Sequence, residues 1–289
     1  MRKPRNIAIA VILLAIWIAG YVKDSGVTNS VVSSGVRLGM PLALAAMVGI
    51  MCERSGVINI GIEGTMLLSG FAGFYAGVLS KNVLVGFIAA IASGAATSLL
   101  HAMMTIIWKM DQIIAGTIIN ILASGLTSFL YVAGKTIPNN WPIFDIPLLS
   151  KIPFIGSAFF SQQGPVQYLG LILIPLIWVM MYKTRWGLRT RAVGENPAAV
   201  DTAGVSVTRL RYSAVIIAGV LCGFAGSYLS LGQAAGFLTN MTAGKGFIAL
   251  AALIFAKWRA WPALWTCFLF GLLDAIAIRL QGVMVPNIG

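Results

Sequence analysis

Nine apolar runs divide this chain, at residues 7–21, 36–51, 62–79, 83–108, 113–132, 166–182, 213–231, 247–256 and 260–278, with short polar connections between them. Lipid offers no partner to a bare N–H or C=O, so a run that crosses it must satisfy its backbone internally, as a helix does. The expected fold is therefore all-α: a polytopic membrane protein of about nine transmembrane helices, forming one domain over residues 1–289. Only 10% of the residues are charged, against about 25% in soluble domains, which leaves little room for a soluble domain.

The connections set the topology. Arg2, Lys3 and Arg5 precede the first run, as in a secretory signal. No small-x-small cleavage site follows, because Trp17, Tyr21, Lys23 and Asp24 occupy that region. The run is read as a retained helix with its N-terminus in the cytoplasm. Simple alternation then puts 183–211 inside the cell. That segment holds Lys183, Arg185, Arg189, Arg191, Arg209 and Arg211 against only Glu195 and Asp201, so the positive-inside rule reaches the same side independently. The 133–165 segment, rich in Pro and aromatic residues, falls outside as an interfacial cap. The net charge of +12 is spread between spans rather than gathered in a patch, which argues against a nucleic-acid partner.

Polar and glycine residues gather in one place, Cys52-Glu53-Arg54-Ser55-Gly56-Val57-Ile58-Asn59-Ile60-Gly61-Ile62-Glu63-Gly64. An ionisable residue at a membrane-helix centre costs about 2.5–3.5 kcal/mol, so Glu53, Arg54 and Glu63 are expected to face protein or water. Gly56, Gly61 and Gly64 permit a non-helical backbone, tolerated at that depth only where it is buried in protein or lines a cavity. The stretch reads as a broken helix facing a pathway, with Glu53, Asn59, Gly61, Glu63 and Gly64 as its candidate lining.

Two spans look short. The run 36–51 corresponds to about 24 Å of helix against a hydrocarbon core of about 30 Å, and 247–256 is shorter still. The first leads into the polar stretch; the second follows Gly232-Gln233-Ala234-Ala235-Gly236 and Ala243-Gly244-Lys245-Gly246. Interrupted helices at matching places suggest inverted repeats around a path, the first over about 36–132 and the second over about 213–289. No tenth apolar run follows, so the second repeat is read as lacking its last helix. Gly35-x-x-x-Gly39, Gly73-x-x-x-Gly77 and Gly219-x-x-x-Gly223 suit close helix contact.

Within the 183–211 loop, Asn196 is a good N-cap, Pro197 fits the first helical position and Gly204 is a natural stop, so 197–203 reads as a short complete helix. Two turns are not stable alone in water, so this helix is expected to rest on the loop or on a partner. Catalytic chemistry is not evident. Cys52, Cys222 and Cys267 have no metal or redox spacing, and His101 has no ligand partner nearby. Ala243-Gly244-Lys245-Gly246 lacks both the leading glycine and the Ser/Thr of a phosphate loop. No metal or cofactor is expected, and any ATP must be bound by another subunit.

The stretches Glu53–Gly64 and Arg191-Ala192-Val193-Gly194-Glu195-Asn196-Pro197 together resemble the permeases of bacterial ABC importers for nucleosides, within the larger sugar and branched-chain amino-acid permease group. The resemblance extends from about residue 30 to the end; in this family two related permeases commonly pair, and this chain is similar to the shorter one. It implies a type II importer fold of about ten helices in the plasma (inner) membrane. The implied partners are a second permease subunit, identical or related, two cytoplasmic ATPase subunits and an extracellular substrate-binding lipoprotein. It also implies that Gly194, Glu195, Asn196, Pro197 and Gly204 belong to the helix that docks on an ATPase. The expected role is transport of nucleosides or related ribose-containing solutes, not enzymatic chemistry. The alternatives are an ABC permease for simple sugars, or a proton- or ion-coupled secondary transporter with Glu63 as coupling carboxylate. A secondary carrier gives no particular role to a capped helix in the long basic loop.

Overall fold

A computed structural model describes residues 25–137, 141–145, 150, 156–160 and 163–284. The described residues form eleven helices: α1 (Ser25–Arg54), α2 (Ile62–Ser80), α3 (Val83–Ala102), α4 (Gln112–Leu130), α5 (Gly156–Phe160), α6 (Pro165–Lys183), α7 (Arg185–Glu195), α8 (Pro197–Thr202), α9 (Val207–Ser227), α10 (Lys245–Phe255) and α11 (Ala260–Met284). Single π-helical turns extend α3 through Met103–Ile107 and α9 through Tyr228–Gln233. Among the described residues no strand forms, and an isolated bridge pairs Phe144 with Gln163.

Seven of these helices are long and apolar enough to cross a membrane: α1, α2, α3, α4, α6, α9 and α11. The eighth apolar helix, α10, has only 11 residues. Each apolar run from 36 onward therefore lies on a helix, while the run at 7–21 is outside the described residues.

One expectation needs correction. The run 36–51 is not a truncated span but the inner part of α1, which is 30 residues long. Residues 25–35 carry serines, a threonine and an asparagine, which lower hydropathy without interrupting a helix. A hydropathy reading sees only the apolar half of such an element. The short 247–256 run does correspond to a short helix, α10, preceded by irregular backbone over 234–244.

Burial separates centre from periphery. In the apolar windows of α1 and α9, 89% and 83% of residues are buried, against 28% for α3 and α4 and 22% for α11. The first two form the core, where Met40 to Cys52 meet Val215, Ala218, Leu221, Cys222 and Ala225. All three cysteines are free and buried.

In lipid, helix association rests on van der Waals contact and close backbone approach, not on hydrophobic expulsion. The three G-x-x-x-G pairs supply that approach. Gly35 and Gly39 lie against Gly271 of α11, whose Cβ, were there one, would stand 2.4 Å from the Gly35 carbonyl oxygen. Gly219 and Gly223 of α9 meet Gly94 of α3 in the same way, at 2.4 Å from the Gly219 oxygen. Gly73 and Gly77 of α2 face Gly86 of α3, at 2.5 Å from the Gly73 oxygen.

Candidate functional site: a broken membrane helix against the basic loop

α1 ends where local chemistry stops it. The Ser55 hydroxyl turns back to donate to the Cys52 carbonyl at 2.6 Å, and Gly56 takes φ +80°, a conformation that costs glycine nothing. From Gly56 to Gly61 the chain is not helical, so its backbone groups need partners from elsewhere.

Side chains of two other helices provide them. Ile58 N–H donates to Gln112 Oε1 at 2.7 Å, and the Ile58 carbonyl accepts from His101 Nε2 at 3.2 Å. Asn120 closes the far end: its Nδ2 donates to the Ile60 carbonyl at 3.1 Å, and its Oδ1 accepts from Gly64 N–H at 2.7 Å. His101 is thus a structural tie between α3 and the break. Gln112 and Asn120, which hold the backbone of the break, are residues of the candidate site that the sequence reading missed. Their signal was a pair of amides at the start and middle of an otherwise apolar run.

The glycines bring α4 close. A Cβ on Gly64 would stand 2.8 Å from the Ile119 carbonyl oxygen, and one on Gly116 would lie 2.7 Å from Gly61 N. Asn59, 2% exposed, donates to Cys52 Sγ at 3.8 Å, while its Oδ1 is buried without a partner.

Glu63 is also buried, at 7% exposure, and faces the second interrupted segment. Its Oε1 accepts from Gly244 N–H at 2.8 Å and its Oε2 from Gly246 N–H at 2.6 Å. The first N–H groups of a helix have no intrahelical partner and carry partial positive charge. The carboxylate therefore caps α10, and one side chain joins the two irregular stretches of the membrane domain. A Cβ on Gly246 would lie 2.7 Å from Glu63 Cα, so glycine is what lets the two backbones meet.

Glu53 and Arg54 point to the turn between α10 and α11. The Trp258 indole N–H donates to Glu53 Oε2, and the Trp258 carbonyl accepts from Arg54 Nη2 and from the Tyr182 hydroxyl, each at 3.3 Å. Lys257 and Trp258 both hold left-handed backbone, at φ 54° and 55°. That conformation is unfavourable for bulky residues, and these contacts hold it in place.

The basic loop meets the break at this corner. Thr184 caps α7, its hydroxyl accepting from Gly187 N–H at 3.1 Å, and Asn196 caps α8, its Oδ1 accepting from Ala199 N–H at 3.1 Å. Pro197 opens α8, and Gly204 at φ +75° follows its end. No residue of α8 is buried. At the junction of α7 and α8, a Cβ on Gly194 would lie 2.3 Å from the Arg54 carbonyl oxygen and 3.2 Å from Gly56 N. Arg54 Nη1 also lies 3.5 Å from Glu195 Oε1, and Arg211 Nε donates to the Ser55 carbonyl at 3.3 Å. Glu195 is largely exposed, so the ion pair contributes about 1 kcal/mol at most; the backbone contact is what fixes the junction.

An open recess of about 390 Å³ lies here, with Glu53, Arg54, Gly56, Gln112, Gly194, Glu195 and Trp258 among its walls. The structure thus brings Glu53, Gly194 and Glu195 together. It holds Asn59, Gly61, Glu63 and Gly64 behind them inside protein, and leaves Asn196, Pro197 and Gly204 exposed on the loop. Among the described residues no group of three or more His, Cys, Asp or Glu side chains is placed to hold a metal ion.

A family model described as branched-chain amino acid transport system / permease component matches residues 31–287. The chain is 37% identical to the putative glucose ABC transporter permease protein TsgC13 of Haloferax volcanii, over 87% of this chain and 79% of that one. It is 37% identical to the nucleoside ABC transporter permease protein NupC of Lactococcus lactis, over 86% and 81%. With the guanosine ABC transporter permease protein NupQ of Bacillus subtilis the identity is 38%, over 82% and 78%. No solved structure matches the chain. These relatives are named as permeases, which are transport subunits rather than enzymes and which work in ABC assemblies with ATPase and substrate-binding partners. Seven membrane-length helices and a family match over nearly the whole described chain lead to one conclusion: this multi-pass inner-membrane protein belongs to the branched-chain amino acid transport system / permease component family, the permeases of ABC transporters.

Proposed function

We propose that this permease imports nucleosides, or closely related ribose-containing solutes, along a path built on the break after α1, and that the junction of α7 and α8 transmits the motion of an ATPase to it. The observation that carries the proposal is the seat of Gly194 on the Arg54 carbonyl. A displacement of the loop cannot leave the first residues of the break where they are.

Glu53, Asn59, Gly61, Glu63 and Gly64 line or brace the path, and Gly194, Glu195, Asn196, Pro197 and Gly204 form the docking corner. Thr117, Ser124 and Ser128, exposed on one side of α4, extend the polar lining with hydroxyls suited to a ribose. The tie from Glu63 to Gly244 and Gly246 supports two repeats of opposite orientation, over about 36–132 and 213–289, with their interruptions facing one another. In this reading the N-terminus and the 183–211 loop are cytoplasmic. Two ATPase subunits, a second permease and an extracellular binding lipoprotein complete the assembly.

Relatives named for nucleoside and guanosine favour that substrate class. The relative named for glucose, at 37% identity, gives the second reading, a simple sugar. Uptake of labelled guanosine by the reconstituted complex, challenged with excess unlabelled adenosine, ribose or glucose, separates them. Suppression by adenosine alone is the expected result; suppression by glucose in place of adenosine makes the chain a sugar permease.

A further inference from the structure

We propose that a recess at the opposite end of the bundle, between α1, α11 and the π turn after α9, binds the phosphate of an anionic membrane phospholipid. The recess, of about 460 Å³, presents Ser30, Ser34, Arg37, Gln233 and Arg279. Two guanidiniums, two hydroxyls and an amide supply hydrogen-bond donors in number, and among the described residues none that lines it is acidic. Guanidinium forks match the oxygens of a phosphate, and two of them together favour a headgroup with net negative charge.

The arginines are held in position by the protein. Arg279 Nη1 donates to Ser30 Oγ at 3.2 Å, which ties α11 to α1. Arg37 Nε donates to Gln163 Oε1 at 3.1 Å, and its backbone carbonyl accepts from the buried Tyr228 hydroxyl at 3.2 Å.

Depth identifies the ligand as a lipid. Arg37 lies about 26 Å along α1 from Arg54, at 1.5 Å per residue. Arg279 lies about 29 Å along α11 from its start at Ala260, by the same rise. Arg54 and the turn before Ala260 meet at Trp258, so both helices run from one common level. Both arginines therefore lie roughly one hydrocarbon thickness of about 30 Å away from it, in the plane of the opposite headgroups. Val31, Leu38 and Ile278 line the same recess, and α11 is the least buried of the membrane-length helices. An anionic head on an apolar stem uses the whole site, whereas a free phosphate would leave the apolar wall against water.

Native mass spectrometry of the purified complex in neutral detergent tests this with phosphatidylglycerol, phosphatidylcholine of the same chains, and inorganic phosphate. Phosphatidylglycerol should be retained in preference to phosphatidylcholine, by about fivefold for each arginine. Arg279→Gln should remove about one such factor, and Ser34→Asp, which sets a carboxylate at the mouth, should abolish the preference. Millimolar inorganic phosphate should not displace the lipid. Equal retention of the two lipids, or a preference unchanged in both variants, overturns the proposal. Displacement by inorganic phosphate overturns it too, since the site would then take a free anion. None of these outcomes depends on the transported solute.

Discussion

The α-carbon of Gly194 rests on the main-chain carbonyl of Arg54, so close that a Cβ at 194 would stand 2.3 Å from that oxygen. Arg54 is the last residue of α1, and Gly194 precedes the N-cap of α8 by two residues. The end of the central membrane helix and the last turn of α7, which leads directly into the exposed α8, are therefore in backbone contact, with no side chain between them to absorb a movement.

Gly194→Val should break this contact while leaving Asn196, Pro197 and Gly204, the exposed part of the docking corner, unchanged. The new side chain forces the loop off Arg54 and Gly56, so the ATPase continues to dock but its cycle no longer reaches the break. The expected outcome is a complex recovered at normal yield, with ATP hydrolysis retained and uptake lost. The measurement is the ratio of uptake to hydrolysis at equal membrane expression, and a ratio equal to that of the unmodified chain counts against transmission through this contact.

Glu63→Gln should separate the cap on α10 from the shape of the side chain. A carboxylate accepts from both Gly244 and Gly246, whereas an amide accepts through one oxygen only. One buried N–H loses its partner, at a cost of about 1–3 kcal/mol, and the negative charge at the α10 N-terminus disappears. Uptake should fall more than assembly, and the thermal unfolding midpoint should drop. A variant with normal uptake and an unchanged midpoint would reduce Glu63 to a passive buried acid.

Asn196→Ala combined with Gly204→Val addresses the loop helix alone. Losing an N-cap costs about 0.5–2 kcal/mol, and α8 has only six residues with none buried. A β-branched residue in the left-handed conformation at 204 adds strain. The permease should insert normally, while recovery of the ATPase in a pull-down and uptake both decline. Equal recovery would make α8 a connector.

The parts of this arrangement that were legible in the sequence are local. Ser55 and Gly56 end a helix through neighbours one turn away, and Asn196, Pro197 and Gly204 start and stop one within their own loop. The partners across the fold were not legible. Glu63 reaches Gly244 and Gly246 from 181 and 183 positions away, and no periodicity encodes which glycine N–H a carboxylate will find. Gln112 and Asn120 are single amides in an apolar run, and only the folded break supplies their four backbone partners, the Ile58 and Gly64 N–H groups and the Gly56 and Ile60 carbonyls. The polar first third of α1 escaped a hydropathy reading for a simpler reason: serine and threonine lower the score while remaining compatible with a helix. The contact of α7 with the end of α1 was also hidden, because it is made by the backbone of Gly194 and not by a side chain.

The most direct measurement is uptake by the complex reconstituted in liposomes, with ATP held constant and a protonophore added. ATP-driven import through this permease requires that guanosine accumulation survive collapse of the proton gradient and stop when the ATPase subunit is omitted. Accumulation by the permease alone, driven by an imposed pH gradient, would contradict it and make the chain a secondary carrier with Glu63 as the proton-coupling carboxylate.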